Sequence, residues 1–338
     1  MSTVTTESPV RRPVVRVAVD AQGGDNAPAA IVQGALQAAS ADLEVLLVGR
    51  GAEIEPLVGG ATHVRLVEAP DVIGGGEEPA NAVRSKPDSS MVVATRLVAQ
   101  GEADAVFSAG NTGAFLAAGL LSVRRLPGVL RPAICQVLPS LPRPTLLLDV
   151  GANAEVKPEH LRQFAHMGSA FASEVLGVRE PVVGLLSIGE EPGKGTPQVV
   201  AAHALLAADP GLRFYGNVEG RDLLSSVVDV VVTDGFSGNV ALKTAEGAAH
   251  AVMGLVKQAV GTSWRAKLGG LLLKPDLLRV RAAVDPEEYG AAHLLGMRRP
   301  VLVGHGSSGA RGVENAVRFA GLAVRSGLVE AIARCLGL

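Results

Sequence analysis

Short apolar runs alternate with longer amphipathic runs along most of the chain. Nine runs are typical of strands, and several are apolar at nearly every position: residues 14–20, 43–49, 64–69, 103–109, 145–151, 182–188, 212–217, 227–234 and 300–306. Strands of this kind occur in parallel sheets covered on both faces. Helical runs lie between or after them at residues 29–39, 90–99, 112–121, 158–176, 196–208 and 309–336. The alternation predicts right-handed βαβ units and a three-layer α/β/α fold with a doubly wound, mostly parallel sheet.

Six strand-like runs end in loops of Gly, Asn, Ser, Thr and charged residues, and each loop precedes a helical run. The loops span residues 20–28, 108–115, 149–160, 187–197, 233–240 and 304–312. Backbone N–H groups before a helix can bind an anion, and glycine lets the backbone approach it closely. Ligands of doubly wound folds bind beyond the carboxyl ends of the strands. We therefore expect all six loops to lie together, around an anionic substrate.

The loops supply many hydrogen-bond donors but few nucleophiles. Candidates for binding phosphate are Gly23, Gly24, Gly110, Thr112, Gly113, Gly238, Gly306 and Ser307. Candidates for the chemistry are Lys194, Asn111, Asn153, Asn239, Asp234 and His305. The alternative for each loop is a plain tight turn, a helix cap or a solvated lid. If the loops do bind a substrate, the many donors and few nucleophiles in them favour direct attack of a bound oxyanion on a carbonyl. A covalent enzyme intermediate is less favoured.

Composition excludes several classes of function. Aromatic residues make up only 3% of the chain and the formal net charge is -2, which argues against a nucleic-acid partner. The 2 cysteines lack the spacing of a metal site, so no metal is predicted. Neither a dinucleotide fingerprint nor a phosphate-binding P-loop motif occurs, and we expect no cofactor. The first 12 residues are predicted to be a disordered tail, and residues 13–338 a single domain.

Residues 248–284 differ from the rest of the chain and predict a helical hairpin inserted in the domain. From residue 263 onward leucines alternate with basic residues, and Pro275 is predicted to break the helix. Leu271, Leu272, Leu273 and Lys274 are candidates for contact with a membrane surface. Packing of the same leucines into a dimeric helix bundle is the alternative.

Several long motifs occur in a fixed order. They read VDAQGGDNAP, SAGNTGA, LLLDVGANAEVKPEHLRQFAHMGS, VGLLSIGEEPGKGT, GNVEGRDLL, DVVVTDGFSGNVALKTAEG and HGSS. With these motifs, residues 15–333 closely resemble the bacterial phosphate acyltransferase family of phospholipid synthesis. The resemblance implies that inorganic phosphate attacks an acyl-[acyl carrier protein] to give acyl phosphate, which a downstream glycerol-3-phosphate acyltransferase uses.

The resemblance also implies a fold similar to isocitrate and isopropylmalate dehydrogenases, and a homodimer. It implies a cytoplasmic protein attached peripherally to the inner face of the cell membrane. Because acyl carrier proteins are acidic, Arg84, Lys86, Arg265 and Lys267 are candidates for docking them. Two alternatives stay open: a short-chain phosphotransacylase that uses coenzyme A, and a non-catalytic acyl-carrier or membrane scaffold.

Overall fold

The apolar runs form the strands of one sheet. The structure, a computed structural model, describes residues 14–283 and 286–338; the predicted tail lies outside them. The described strands are β1 (Val15–Asp20), β2 (Leu43–Gly49), β3 (Val64–Glu68), β4 (Ala105–Ser108), β5 (Ala133–Leu138), β6 (Thr145–Leu148), β7 (Val182–Leu186), β8 (Arg213–Val218), β9 (Val230–Val232), β10 (Ala292–Leu295) and β11 (Val301–Val303). Their order across the sheet is β3-β2-β1-β4-β11-β10-β5-β6-β9-β7-β8.

Helices cover both faces of this sheet. They are α1 (Ala29–Ala38), α2 (Gly51–Val58), α3 (Pro79–Ser85), α4 (Ser90–Ala99), α5 (Thr112–Ser122), α6 (Pro158–Glu174), α7 (Pro197–Ala207), α8 (Gly235–Gly261), α9 (Trp264–Ala283), α10 (Ala310–Arg325) and α11 (Leu328–Cys335). Alternate residues of β1 face opposite layers. Ala18 belongs to the core with α4 and α5, whereas Val17 and Val19 belong to the core with α1 and α10. The predicted three-layer α/β/α class is confirmed.

Antiparallel pairings in the middle of the sheet reverse the strand direction. The pairs β11–β10, β10–β5 and β5–β6 are antiparallel, whereas all the other pairs are parallel. After three reversals, β6, β9, β7 and β8 run opposite to β3, β2, β1, β4 and β11. The glycine-rich loops therefore leave the sheet at two opposite ends of the strands. The prediction that all six lie together is wrong. The two reversals made by β10 cancel, and the antiparallel pairing of β5 with β6 leaves β6, β9, β7 and β8 running in the opposite direction.

The predicted break at Pro275 is also wrong. Helix α9 continues through Pro275, and the helical hairpin consists of α8 and α9. Its turn lies at Thr262 and Ser263, where the Ser263 hydroxyl accepts a hydrogen bond from the amide of Ala266 at 3.1 Å. Residue 284 of the predicted hairpin lies outside the described residues. The last helical run forms two helices, because Gly327 adopts a left-handed φ of 67° between α10 and α11.

A buried carboxylate joins α6 to the segment after α7. Asp209 Oδ2 lies 2.8 Å from His166 Nε2 and 2.8 Å from Arg162 Nε, and the amide of Gly211 donates to Oδ1 at 2.9 Å. Burial opposes ionisation, but the hydrogen bonds from His166, Gly211 and Arg162 outweigh it and lower the pKa of Asp209. A carboxyl with a lowered folded-state pKa stabilises the fold above its unfolded pKa. That stabilisation is lost as the pH falls through the folded pKa.

We therefore expect Asp209→Asn to lower the free energy of unfolding by about 2 kcal/mol near neutral pH. The loss should shrink as the pH falls below about 4, where the carboxylate of the unfolded chain becomes protonated, and disappear once the pH is below the lowered folded-state pKa. Urea unfolding of both proteins across this pH range measures the effect. Glu55→Gln, at an exposed position, is the control and should leave stability unchanged. A deficit that is equal at every pH would contradict the ionic role of Asp209.

Candidate functional site

The loop after β1 packs against the loop after β4. Asp20, the last residue of β1, is buried, and its carboxylate accepts a hydrogen bond of 2.6 Å from the Ser108 hydroxyl. Burial raises the pKa of Asp20, while hydrogen bonds from Ser108 and the loop oppose this rise. A Cβ at Gly23 would lie 2.8 Å from the amide nitrogen of Gly110. Glycine thus permits close contact between two backbones that carry predicted phosphate donors.

The loop after β11 completes this surface. The amide of Asp25 donates to the carbonyl oxygen of Gly306 at 2.7 Å, and Gly24 beside it has a φ of 105°. The Asn26 side chain donates to the carbonyl oxygen of Ser307 at 3.1 Å. These contacts join the loops into what we call the first loop group: residues 20–28, 108–115 and 304–312.

Two further predicted residues of the first loop group, His305 and Thr112, are exposed. His305 is exposed, and its Nδ1 lies 2.8 Å from the Ser307 hydroxyl oxygen. Thr112 is the first residue of α5 and is followed by Gly113. All the phosphate candidates except Gly238 therefore belong to this group.

Asn111 caps α5 and fastens a further glycine-rich loop. Its Oδ1 accepts from the amide of Ala114 at 3.0 Å. Its Nδ2 donates to the carbonyl oxygens of Gly74, Gly75 and Glu77 at 3.1–3.3 Å. The sequence analysis did not identify this loop, which lies between β3 and α3. Its run of three glycines and two glutamates could have indicated it. The hydrogen bonds give the Asn111 amide a structural role, and its role in catalysis stays a prediction.

Lys86 holds the same loop from the other side. Its Nζ donates to the carbonyl oxygen of Val72 at 3.0 Å and to the Glu77 carboxylate at 2.7 Å. This ion pair neutralises the charge that the docking prediction assigned to Lys86. Arg84 is exposed and forms no ion pair with another described residue. Of these two docking candidates, Arg84 is therefore the one whose charge is available.

Asp149 organises the loop after β6. Its carboxylate accepts from the amides of Ile134, Gly151, Ala152 and Asn153 at 2.8–3.1 Å, and from Nδ2 of Asn153 at 2.8 Å. Burial raises the pKa of Asp149, and these donors oppose the rise by stabilising the carboxylate. The carboxylate thus fixes the loop conformation and holds Asn153 against the sheet.

The first turn of α8 rests directly on that loop. A Cβ at Gly235 would lie 2.7 Å from the carbonyl oxygen of Asn153, and a Cβ at Gly238 only 1.9 Å from that of Asp149. Both contacts are with backbone atoms, which cannot move away as a flexible side chain can. Glycine is therefore required here by packing, and the predicted phosphate-binding role of Gly238 stays a prediction.

Two further predicted residues belong to this turn. The Asp234 carboxylate caps α8 by accepting from the amide of Ser237 at 2.8 Å. Asn239 donates from Nδ2 to the carbonyl oxygen of Val150 at 3.0 Å. Both side chains thus stabilise the junction of α8 with the loop after β6, whatever they contribute to chemistry.

The loop after β7 presents Lys194. The Ser187 hydroxyl donates to the carbonyl oxygen of Lys194 at 2.9 Å, and Gly195 has a φ of 113°. A Cβ at Gly189 would lie 3.0 Å from Cγ of Lys194, so this glycine leaves room for the lysine stem. The Lys194 side chain is exposed and has no ion-pair partner among the described residues. Its charge is available to a ligand.

A buried amide that we had not singled out supports the Lys194 loop. Asn217, at the end of β8, donates from Nδ2 to the carbonyl oxygen of Glu191 at 2.8 Å. Its Oδ1 is buried and has no hydrogen-bond partner in the described part of the chain. The motif GNVEGRDLL contains this residue and was the available signal.

The predicted site residues thus divide between two groups. The second loop group comprises residues 149–160, 187–197 and 233–240. It contains Lys194, Asn153, Asn239, Asp234 and Gly238. His305 and Lys194 follow β11 and β7, which are five strand positions apart, about 24 Å at about 4.8 Å per strand. The two strands also end at opposite ends of the sheet, so the topology assigns these two side chains to different loop groups.

The other docking candidates lie far from both loop groups. Arg265 stacks over the ring of Trp264 at 5.4 Å, and Lys267 lies two residues further along α9. Both are at the tip of the hairpin, after the 27 residues of α8. At 1.5 Å per residue, the tip is about 40 Å from the start of α8.

Residues 14–283 and 286–338 contain no cluster of three or more His, Cys, Asp or Glu side chains suited to a metal ion. No helix in these ranges combines the length and the apolar character needed to cross a membrane.

Sequence comparison finds relatives that align with almost the whole chain. The model of a family described as "Fatty acid synthesis protein" matches residues 15–331. The phosphate acyltransferase of one strain of Desulfitobacterium hafniense is 49% identical over 323 residues, covering 94% of this chain and 96% of that protein. The phosphate acyltransferase of Thermus thermophilus is 50% identical over 319 residues, covering 94% of this chain and 97% of that protein.

Solved structures show the same fold at low sequence identity. A phosphotransacetylase from Streptococcus pyogenes superposes with a TM-score of 0.63 at 16% identity, covering 92% of this chain and 94% of that one. The EutD phosphotransacetylase from Staphylococcus aureus gives 0.60 at 17% identity, with the same coverage. At these identities the likeness concerns the fold alone.

Proposed function

The chain belongs to the fatty acid synthesis protein family, as a relative of phosphate acyltransferases, and on this premise we propose that it transfers an acyl group from an acyl-[acyl carrier protein] to inorganic phosphate. The observation that supports a site for this reaction is the unpaired Lys194 in the second loop group. A cation on a glycine-rich loop, next to the start of α7, suits a phosphate dianion. The loops after β6 and β9 are held beside it by Asp149 and the first turn of α8.

In the proposed reaction, a phosphate oxygen attacks the thioester carbonyl carbon. A carbon–oxygen bond forms, the carbon–sulfur bond breaks, and the carrier leaves as a thiolate that takes a proton from solvent. Phosphate dianion is already a nucleophile, so no general base is required. Lys194 binds the phosphate and offsets the negative charge of the tetrahedral intermediate.

The amides of Asn153 and Asn239 are engaged with carbonyl oxygens. Asn153 uses both N–H groups of its Nδ2, on Pro132 and Asp149, whereas Asn239 uses one and keeps a second. We therefore propose that backbone amides of the second loop group, with the second N–H of Asn239, are the oxyanion donors. The product, an acyl phosphate, is a mixed anhydride and an activated acyl donor. A glycerol-3-phosphate acyltransferase is the proposed consumer.

The test is incubation of the protein with long-chain acyl-carrier protein and radiolabelled phosphate. We expect labelled acyl phosphate and free carrier protein. A parallel reaction with acetyl-coenzyme A distinguishes this function from the alternative. A short-chain phosphotransacylase would use acetyl-coenzyme A in preference to the acyl-carrier protein. A scaffold would give no labelled product with either donor, and this outcome would refute the proposal.

We also propose that the α8–α9 hairpin contacts a membrane surface and that two copies of the chain associate. Along α9, Trp264, Leu268, Leu271 and Leu272 are all more than half exposed and share helical spacing. Lys274 can meet anionic headgroups. Exposed Val252 and Leu255 on α8 offer apolar surface for a second copy.

Liposome flotation of the Leu271→Glu, Leu272→Glu double variant tests the membrane contact. If these leucines enter the lipid surface, the variant should remain a folded, active dimer but lose flotation with anionic vesicles. Leu57→Glu, at an exposed leucine on α2, is the control and should float like the wild type. Loss of the dimer would indicate a helix bundle instead. An unchanged dimer that still floats would contradict both roles.

A further inference from the structure

Two adjacent connections of the fold carry a dense set of arginines. One connection joins α5 to β5 and the other joins β10 to β11. They are fastened by hydrogen bonds from the amide of Arg298 to the carbonyl oxygen of Arg124, at 3.0 Å, and from the amide of Leu126 to that of Gly296, at 2.9 Å. All five arginine side chains on them are exposed. We call them the arginine patch: Arg124, Arg125, Arg131, Arg298 and Arg299.

The charge of this patch is not neutralised within the chain. Among residues 14–283 and 286–338, no carboxylate lies within ion-pair distance of any of its five arginines. Two of them donate only to carbonyl oxygens: Arg125 to Leu130, and Arg298 to Arg125. Most other arginines in these ranges do form ion pairs, for example Arg16 with Asp104. Unpaired like charges at one place favour an external anionic partner.

The patch borders the second loop group. Arg131 precedes Pro132, whose carbonyl oxygen accepts from Nδ2 of Asn153 at 2.8 Å. The amide of Ile134 donates to Asp149 at 3.0 Å. Burial lowers the pKa of His160, at the start of α6, and the nearby positive charges of Arg131 and Lys157 lower it further. Glu159 acts on His160 in the opposite direction, and Arg131 and Lys157 place two positive charges beside the proposed reaction site.

Apolar groups stand next to these charges. Leu121, at the end of α5, is 60% exposed, and Leu130, between two of the arginines, is 44% exposed. A centre of apolar side chains within a ring of charge is the usual composition of a protein–protein interface. The net charge of the whole chain is -2, so attraction of an acidic protein must come from such a local surface.

We propose that the arginine patch is the docking surface for an acidic acyl carrier protein. The inference rests on the proposed function, because a carrier docked here would present its thioester to the second loop group, which contains Lys194 and Asp149. Among the other basic candidates, Arg265 and Lys267 lie about 40 Å from the start of α8. Arg84 lies on α3, beside the first loop group rather than the second. A membrane could also attract the patch, but a membrane delivers no thioester to the second loop group.

The test is the double variant Arg131→Glu, Arg299→Glu. Neither side chain makes a hydrogen bond or ion pair with the described residues, so the change reverses the charge and breaks no such contact. We expect KM for acyl-carrier protein to rise about fivefold at low salt, with little change in kcat. The wild-type KM should rise with salt, and that of the variant should depend on salt less. Arg179→Glu, Arg213→Glu, exposed at the opposite ends of the strands, is the matched control and should behave as wild type.

Acyl-pantetheine, which has no carrier protein, separates docking from chemistry. The double variant should use it as well as the wild type does. Equal loss with acyl-pantetheine would place the arginines in the reaction site and overturn the docking role. Unchanged KM for acyl-carrier protein, or loss of anionic-vesicle binding alone, would also overturn it.

Arg131→Gln, Arg299→Gln serves if charge reversal impairs folding, and should raise KM in the same direction. A wild-type protein that forms no acyl phosphate from either donor would instead refute the proposed function. That result is distinct from failure of the docking inference, which requires an active wild type.

Discussion

Lys194→Ala should lower kcat roughly a hundredfold while the protein stays folded. The lysine is exposed and unpaired, so its removal leaves no buried group without a partner. If it stabilises the phosphate and the developing oxyanion, its loss costs about 2.7 kcal/mol of transition-state stabilisation. Steady-state formation of acyl phosphate, with circular dichroism to verify folding, measures the effect.

Two comparisons make this result specific. Lys257→Ala, at an exposed position on α8, should retain wild-type turnover. His305→Ala tests the first loop group, which carries most of the predicted phosphate donors. If His305→Ala loses turnover and Lys194→Ala does not, the phosphate binds in the first loop group and our assignment of the site is wrong.

Gly238→Ala should destabilise the fold by at least about 3 kcal/mol, at the upper end of the usual cost of overpacking. Its Cβ would lie 1.9 Å from the carbonyl oxygen of Asp149. That residue cannot shift easily, because its carboxylate accepts five hydrogen bonds. The first turn of α8 must therefore move away, and activity should fall with stability. Urea unfolding and the acyl phosphate assay measure the two effects.

The same helix provides the control for this substitution. Gly247 lies in α8, and a Cβ there would meet nothing within 4 Å. Gly247→Ala should therefore stabilise the helix slightly, by about 0.5–1 kcal/mol. If the two variants have equal stability, the close contact between α8 and the loop after β6 does not exist in solution.

The sequence predicted the layers of the fold because its strands are nearly continuous apolar runs. β4 and β6 are buried at every position, so both faces required apolar residues. The sequence could not predict the order of the strands. β10 has only four residues and lies between β11 and β5, and the pairing of β10 with β5 joins segments about 160 residues apart. Local periodicity contains no information on such a pairing.

The candidate site was predicted in part for the same reason. Glycines and helix caps at strand ends are local signals, and the loops that contain Gly23 and Asp149 were found from them. Which loops meet depends on strand direction, and this separated Lys194 from His305. The partners of a side chain are also invisible in the sequence. The sequence analysis predicted that the charge of Lys86 is available for docking, whereas in the structure Lys86 forms an ion pair with Glu77.

The arginine patch illustrates a further limit. Its residues come from two segments more than 160 positions apart, which the pairing of β10 with β5 brings together. Neither segment by itself contains enough basic residues to predict a docking surface. Only the absence of ion-pair partners in the described part of the chain makes their combined charge apparent.

The position of β10 and β11 also determines when the chain can fold during synthesis. These strands lie between β4 and β5, yet residues 292–303 leave the ribosome near the end of translation. Until then, β1–β4 and β5–β9 are two separate sheets, each with an uncovered edge strand that can pair with other chains. A nascent or truncated chain therefore depends on protection from aggregation until its last segment joins the two halves.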